Sequence, residues 1–434
     1  MLYDSLCEEN NLPLLNVGSD ETSVSLCWHS DADKAKAEVR FSENADMSVY
    51  KTFKGTVTEA ETDEQVVCRV VIDALESNKT YYYQWFDGTD FSKAYKYETK
   101  SFGDHKAVVF GDIQVAEDWR DGKDAPTQKE IGFNWNNVLS VALENNPDIG
   151  YLVTPGDNTS TGQTAREWQT LLMPEAVRSL PMAMAIGNHD KKGDTYNYYT
   201  NMPNEYYGKY FRGLDRDFWF RYGDVLYLLF DSTSGDAPDH MDFAREAVEK
   251  NKDAKWRIGV VHHGIYGAGD AIGDSETEIL LTTIFAPIFE SYDMDLVITG
   301  HTHSQGRSHF MENGKVVANA DGGKTYTNPK GVMYLNANSV CEKVIMDFDA
   351  EHLAYGFIEN DVTTYTTLEF RGDELILETR RGDNNVLLDS VTINKTIEHN
   401  EDSFGNVMKR VGYKVIEFAG FVYTMIDNLV RKFQ

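Results

Sequence analysis

The stretch Met182-Ala-Met-Ala-Ile-Gly-Asn-His-Asp190 decides how this chain is read. Five apolar residues in a row suit a short strand buried on both faces. They run straight into Gly187, Asn188, His189 and Asp190. A glycine there lets the chain turn sharply and brings the side chains behind it close to a bound ion or phosphate.

The same construction recurs on either side. KAVVF (106–110) runs into Gly111-Asp112-Ile113-Gln114, and YLVT (151–154) into Pro155-Gly156-Asp157-Asn158. RIGVV (257–261) is followed by His262-His263-Gly264-Ile265-Tyr266, and DLVIT (295–299) by Gly300-His301-Thr302-His303. Each motif alone has a bland reading: a Gly-Asp is often a turn, and Asn188 a cap. The two imidazoles one residue apart at 301 and 303 have little structural use. Five such strand ends in one region put carboxylates and imidazoles into one crevice, where open α/β sheets place their sites.

Helical spacing over 132–144, 163–179, 240–251 and 275–290 alternates with these strands, VLYLLF (225–230) being a further one, so the region from 104 reads as α/β. Asp274-Ser275 has the form of a cap for the last helix. VMYLNANS (332–339) and KVIMDFD (343–349) return to strand pattern, and 362–395 alternates with Arg-Gly-Asp turns, as hairpins completing a sheet edge. Upstream, TSVSLCW (22–28), AEVRFS (37–42), VCRVVIDAL (67–75), TYYYQWF (80–86) and KAYKYETK (93–100) alternate apolar with polar residues. They predict a small β-sandwich closed by an inward Trp28. The chain thus divides into an extension (1–19), a sandwich (20–103), a catalytic domain (104–396, with 362–396 as accessory hairpins) and a tail (397–434).

The tail carries Phe404, Met408, Val411, Val415, Phe418, Val422, Met425 and Leu429 at alternating spacings of four and three. This is an amphipathic helix in need of a partner, whether its own domain, a second subunit in a homodimer, or a membrane surface. Five acidic and five basic residues over 398–434 cancel, without the basic excess of an anionic-membrane anchor. Packing along the protein is therefore expected.

Composition narrows the classes. Of 434 residues 41% are hydrophobic, which rules out disorder, and 70 Asp and Glu against 41 Lys and Arg leave a net charge of −29. Such a surface repels nucleic-acid polymers. No apolar run reaches membrane-span length, and the first residues carry no signal-peptide pattern. Cys7, Cys27, Cys68 and Cys341 have no metal spacing; strand alternation turns Cys27 away from Leu26 and Trp28, so free thiols are expected.

The series GD, GDN, GNHD, HH and GHTH resembles the calcineurin-like metallophosphoesterase superfamily. The purple-acid-phosphatase-like branch resembles it most, with SVSLCW and NKTYYYQW in place of that branch's N-terminal fibronectin-type-III-like domain. His262-x-x-x-Tyr266 and His303 followed by Arg307-Ser308 strengthen the likeness, which covers about 20–395. It implies a four-layer α/β/β/α catalytic domain and a dinuclear centre of divalent or mixed-valence ions such as iron, zinc or manganese. One ion would be held by Asp112, Asp157 and His303, the other by Asp157, Asn188, His262 and His301, with Asp157 bridging.

The resemblance further implies a phosphomonoesterase acting on small esters through a metal-bridging hydroxide. His189 and Asp157 would be catalytic, and Asn188, His189, His263, Tyr266, Arg166 and Arg307 would contact substrate. A phosphodiesterase or nucleotide hydrolase would use the same site, and a glycan- or partner-binding protein with a degenerate catalytic domain is the reading of another class. Two departures stand out. Ser160 occupies the position of the purple enzymes' tyrosine, so no phenolate–iron colour is expected. Gln114 replaces a histidine frequent in the superfamily and would supply its amide oxygen or hold a bound water. The residues leave the compartment open between cytoplasm and exterior; the resemblance implies an extracellular or cell-envelope home.

Overall fold

The computed structural model describes residues 12–59, 65–115, 128–192, 195–208, 216–266, 275–340, 352–357, 362–412 and 414. Strands with unbroken apolar runs, Ile149–Thr154, Val225–Phe230 and Trp256–Val261, are buried along their whole length. Neighbours cover them on both faces, as parallel strands require. In Thr80–Trp85 burial alternates instead, one face inward and one outward.

Among the described residues the strands form three sheets. The largest runs Lys324–Thr327, Leu387–Asn394, Glu374–Arg381, Thr364–Arg371, His105–Val109, Ile149–Thr154, Met182–Met184, Leu14–Val17, Val24–Asp31, Gln65–Ile72, Thr56–Glu59. The second runs Phe218–Tyr222, Val225–Phe230, Trp256–Val261, Leu296–Thr299, Val332–Asn336, Gln305–Glu312, Lys315–Ala318, with Leu353–Phe357 also paired to Gln305–Glu312. The third, Lys51–Lys54, Glu38–Ser42, Thr80–Trp85 and Tyr95–Glu98, faces the far arm of the first and completes the sandwich.

Among the described residues ahead of the tail, the α-helices are α1 (Gln128–Asn145), α2 (Ala165–Leu172), α3 (Thr195–Tyr199), α4 (Ala237–Lys250) and α5 (Ser275–Ser291). Trp135, Leu139, Trp168 and Leu171 of α1 and α2 pack on the first sheet, in a core that also takes in Tyr151 and Tyr227 where the two sheets meet. Phe243 and Ala244 of α4 and Phe285 and Phe289 of α5 cover the outer face of the second. The order helix, sheet, sheet, helix is the expected four-layer one.

Three expectations change in detail. Leu14–Val17, inside the stretch read as an extension, is a strand. It pairs antiparallel with Val24–Asp31 and parallel with Met182–Met184, so sandwich and catalytic domain share one continuous sheet. The helix expected over 163–179 stops at Leu172, and a 3-10 turn, Glu175–Arg178, follows Pro174; proline has no N–H to continue the i→i−4 ladder. The tail is helical over 404–412, but its stripe faces outward. Phe404 is 82% exposed, with Val407, Met408 and Val411 exposed beside it.

The opposite face of that tail helix holds the protein. Lys409 bonds Glu290 at 2.8 Å, and Arg410 donates to the carbonyls of Ser291 and Glu401 at 2.6 and 2.8 Å. Charge, not the apolar stripe, docks this segment on its own domain. Strand 343–349, Asp274, Cys7, Cys341 and the tail past 414 lie outside the described residues. Thr364–Arg371 pairs with His105–Val109, so the hairpins do complete the catalytic sheet. Trp28 is buried in the sandwich core, and Cys27 and Cys68 are unpaired.

His105 opens the strand leading to Asp112. It packs against Phe370 and Tyr222, with ring centroids 5.0 and 4.6 Å away. Its Nδ1 donates to the Gly103 carbonyl at 2.7 Å, and its Nε2 is buried without a hydrogen-bond partner. Burial disfavours the charged ring and lowers its pKa from 6.5 to about 4, against the pull of Asp104 and Asp224. The fold therefore holds a neutral imidazole. Its contribution is complete above pH 6.5 and is lost as pH falls toward 4, an effect on the order of 3 kcal/mol. Denaturant titrations at pH 7 and pH 4.5 should show this loss, and His105→Phe should flatten it.

Candidate metal centre

The five strand ends meet at one place. Asp112 follows His105–Val109, Asp157 follows Ile149–Thr154, Asn188 follows Met182–Met184, His262 follows Trp256–Val261, and His301 and His303 follow Leu296–Thr299. Because the first three strands belong to one sheet and the last two to the other, the site sits where the sheets face each other.

The backbone there is unusual. Gln114, Asp157, His301 and His303 adopt φ of 45°, 49°, 69° and 50°. Such left-handed conformations are uncommon for residues with a Cβ, and they concentrate at functional sites. The glycines leave room for the ligands. A Cβ on Gly187 would lie 2.1 Å from Asp157 Oδ1, and one on Gly300 would lie 2.2 Å from Asp112 Oδ1.

His262 Nε2 lies 3.1 Å from Asp157 Oδ2, 2.9 Å from Asn188 Oδ1 and 3.3 Å from His301 Nδ1. Asp157, His262 and His301 form a group whose ligand atoms all lie within 4.8 Å of one another. Edges of about 3 Å are what donors roughly 2.1 Å from a shared ion would show. A second pairing, His303 Nε2 to Asp112 Oδ2 at 3.1 Å, lies alongside. Gln114 Oε1 is buried with no hydrogen-bond partner, a donor atom left over for an ion or its water. The residues fit a cation centre.

The electrostatics agree. Burial would raise the Asp112 carboxyl, but His303, His262 and the His301 N–H outweigh it and hold Asp112 well below the usual range. Burial would likewise discharge His262, yet Asp157 beside it pushes that imidazole up to about 9. Burial and the neighbouring His262 and His301 drive His263 down.

Around this centre His189 is part-buried. Its N–H donates to Asp157 Oδ1 at 2.8 Å, and its Nδ1 donates to the Ser160 carbonyl at 2.5 Å, which leaves Nε2 for a ligand. His263 packs 4.5 Å from the His301 ring, and Ser232 Oγ lies 2.8 Å from its Nδ1. Asp190 has turned inward as an anchor. Its carboxylate accepts from the N–H groups of Gly187, Asn158 and Thr159, and so ties two ligand loops together.

Of the expected substrate contacts, Arg307 is committed elsewhere. Arg307 lies on Gln305–Glu312, almost fully buried. It forks onto Asp389 at 2.7 and 3.1 Å and donates to the Ala320 carbonyl, so it serves packing. Tyr266 packs on Tyr334 at 4.8 Å between ring centroids. Arg166 is exposed on the first turn of α2. Two lysines missed in the sequence lie near His189 and His263. Lys192 Nζ is 3.2 Å from His189 Nδ1, and Lys191 donates to the Thr233 carbonyl at 2.8 Å. Their direct succession to the Gly-Asn-His-Asp motif was the available signal.

The calcineurin-like phosphoesterase family matches residues 105–305, and the purple acid phosphatase N-terminal domain matches residues 11–99. Residues 105–305 are thus a calcineurin-like phosphoesterase domain, and the purple acid phosphatase N-terminal domain stands ahead of it. The protein is a hydrolase of phosphoric esters. In three dimensions it is similar to purple acid phosphatase PPD1 from yellow lupin (Lupinus luteus) seeds, with a TM-score of 0.72 at 15% identity over 92% of this chain and 75% of that one. It is also similar to PhoD, with a TM-score of 0.57 at 11% identity over 94% and 99%. At such identities these likenesses speak for the fold. No curated protein matches the sequence. Among the described residues no helix is long and apolar enough to cross a membrane.

Proposed function

We propose that the protein hydrolyses small phosphomonoesters at a dinuclear centre. One ion would be held by Asp112, Asp157 and His303, with Gln114 beside it, and the other by Asp157, Asn188, His262 and His301. The observation that carries this reading is the convergence of Asp157, Asn188 and His301 around His262 Nε2, with the Asp112–His303 pair adjoining. When bound, two such ions clamp a phosphoryl group, activate a water at neutral pH and stabilise charge on the equatorial oxygens.

The chain's own residues do the rest. Asp157 would serve both ligand sets, its carboxylate held between His262 and the His189 N–H, and the Asn188 amide oxygen would add a neutral ligand. His189, fixed through Nδ1–H to the Ser160 carbonyl, presents Nε2 to the ester; in its doubly protonated form the ring would hand the Nε2 proton to the leaving oxygen and return to the neutral Nδ1–H form. His263 lines the same wall. Lys192 sets a positive charge beside His189 and Lys191 one within reach of His263, and a dianionic monoester gains more from them than a monoanionic diester does. Family resemblance supports an extracellular or cell-envelope home.

The test is hydrolysis of p-nitrophenyl phosphate and bis-p-nitrophenyl phosphate by chelator-stripped protein reloaded with zinc, manganese or iron. Reloading should restore monoester turnover, with the diester at least about tenfold slower. Preference for the diester would reassign the substrate class. Silence toward both, with metals bound, would end the reading.

A further inference from the structure

We infer that the sandwich domain is part of the catalytic apparatus: Ser25, Cys27, His29 and Arg69 act as positioning residues that cap the helix emerging from the His189 loop. The inference rests on the reading of Asn188 and His189 as site residues. Val24–Asp31 turns Leu26 and Trp28 into the sandwich core. Strand alternation puts Ser25, Cys27 and His29 on the other face, where Arg69 stands opposite Cys27 on the neighbouring strand. In an isolated sandwich that face would meet water. Here it meets α3 and the two residues after it.

α3 has five residues and begins only three positions past Lys192. A helix this short cannot stand by itself, and its last carbonyls have no partners of its own. The sandwich supplies them. Arg69 donates to the Asn197 carbonyl and, at 3.2 Å, to that of Thr200. His29 Nε2 and Cys27 Sγ reach the Tyr198 carbonyl at 3.1 and 3.4 Å, and Ser25 Oγ reaches Asn201 at 2.7 Å. Asn16, on the strand joining the domains, accepts from Asn201 N and donates to the Met182 carbonyl.

The hold continues inward. The His29 ring stacks on Tyr199 at 4.3 Å, and Tyr199 lies parallel to Trp168 of α2 at 4.9 Å. Thr195 bonds the Gly162 carbonyl, two residues from the Ser160 carbonyl that fixes His189. The chain around His189 is thus pinned from both sides, and one of the pins belongs to the other domain.

The experiment compares full-length, metal-loaded protein with Arg69→Ala/His29→Ala, with Arg69→Lys, and with Val39→Ala, a sandwich-core change that does not touch α3. The double variant should keep its metal content and lose on the order of 10- to 100-fold in kcat, as misplacement of a reacting group does. Hydrogen exchange should rise over 187–201 and not over 38–54, the sandwich strands away from Arg69 and His29. Arg69→Lys should recover part of the rate. Val39→Ala should lower Tm without lowering kcat. Arg69→Ala alone, which keeps the His29–Tyr199 stack, carries the same test at smaller amplitude if the double variant does not fold. Unchanged kcat in a folded Arg69 variant, or an equal fall in Val39→Ala at equal Tm, overturns the inference. His189→Ala run in parallel separates the readings: if it leaves kcat intact, the role given to His189 falls instead.

Discussion

Asp157→Asn should strip the centre of metal and lower phosphoester turnover by about 10³-fold or more. Lewis-acid stabilisation by bound ions is worth several kcal/mol, and each 1.36 kcal/mol is tenfold in rate. Asp157 sits at φ 49° directly after Gly156, itself at φ 119°, so its carboxylate is thrust into the crevice by a backbone the fold must hold against preference. One oxygen faces His262 Nε2 at 3.1 Å and the other accepts from His189 N at 2.8 Å. Asparagine fits the space but removes the charge shared by both ligand sets. Its NH₂ must also oppose either the His189 N–H or the side where an ion binds. His189→Ala should behave differently, keeping its metals while turnover drops by roughly 10²-fold. Elemental analysis and steady-state rates on the two variants decide between these outcomes. An Asp157→Asn protein with full metal content and turnover would remove Asp157 from the centre, and metal loss in His189→Ala would make that histidine a ligand.

What the sequence disclosed about this site follows from where its information lies. A strand end, a glycine and a ligand-bearing side chain are contiguous in the chain, so all five motifs could be read without knowing the partner strands. What needed a distant partner could not. Leu14–Val17 is four residues without alternation, and its parallel neighbour Met182–Met184 lies far along the chain. Lys51–Lys54 and Thr56–Glu59 are polar edge strands with no apolar period to betray them. Arg307 follows His303 closely, yet its side chain is claimed by Asp389, 82 residues on. Ser25, Cys27 and His29 read as the outward face of a sandwich strand, and so they are; the sequence does not say that a second domain lies against that face. In the tail the apolar period was legible, but the direction it faces is set by Lys409 and Arg410 finding Glu290 and the Ser291 carbonyl on the body.

Asp190→Ala should be among the most damaging single changes away from the ligands themselves. The carboxylate is fully buried, and five donors converge on it. Oδ2 accepts from Gly187 N at 3.0 Å, Asn158 N at 3.1 Å and Asn158 Nδ2 at 3.0 Å; Oδ1 accepts from Thr159 N at 2.9 Å and Thr159 Oγ1 at 3.0 Å. Truncation would leave three backbone N–H groups without acceptors in a site closed to water. At about 1–3 kcal/mol for each stranded buried donor, a loss of at least about 3 kcal/mol is expected. The damage should also be local, because the donors belong to the Asp157–Thr159 and Gly187–Asp190 turns, which carry Asp157 and Asn188 to the centre. Asn is no rescue, since each oxygen accepts from at least one backbone N–H. Whichever way the amide turns, its NH₂ points at a donor. Glu would drive an extra methylene into the same closed space, where the Asp190 side chain is fully buried. Unfolding in denaturant and metal titration by calorimetry are the two measurements. Both Asp190→Ala and Asp190→Asn should show the lost stability together with metal affinity weakened by about 10- to 100-fold, the usual cost of removing a residue that orients ligands. Wild-type metal affinity in a folded Asp190→Asn protein would show that the two ligand turns hold their shape without this carboxylate.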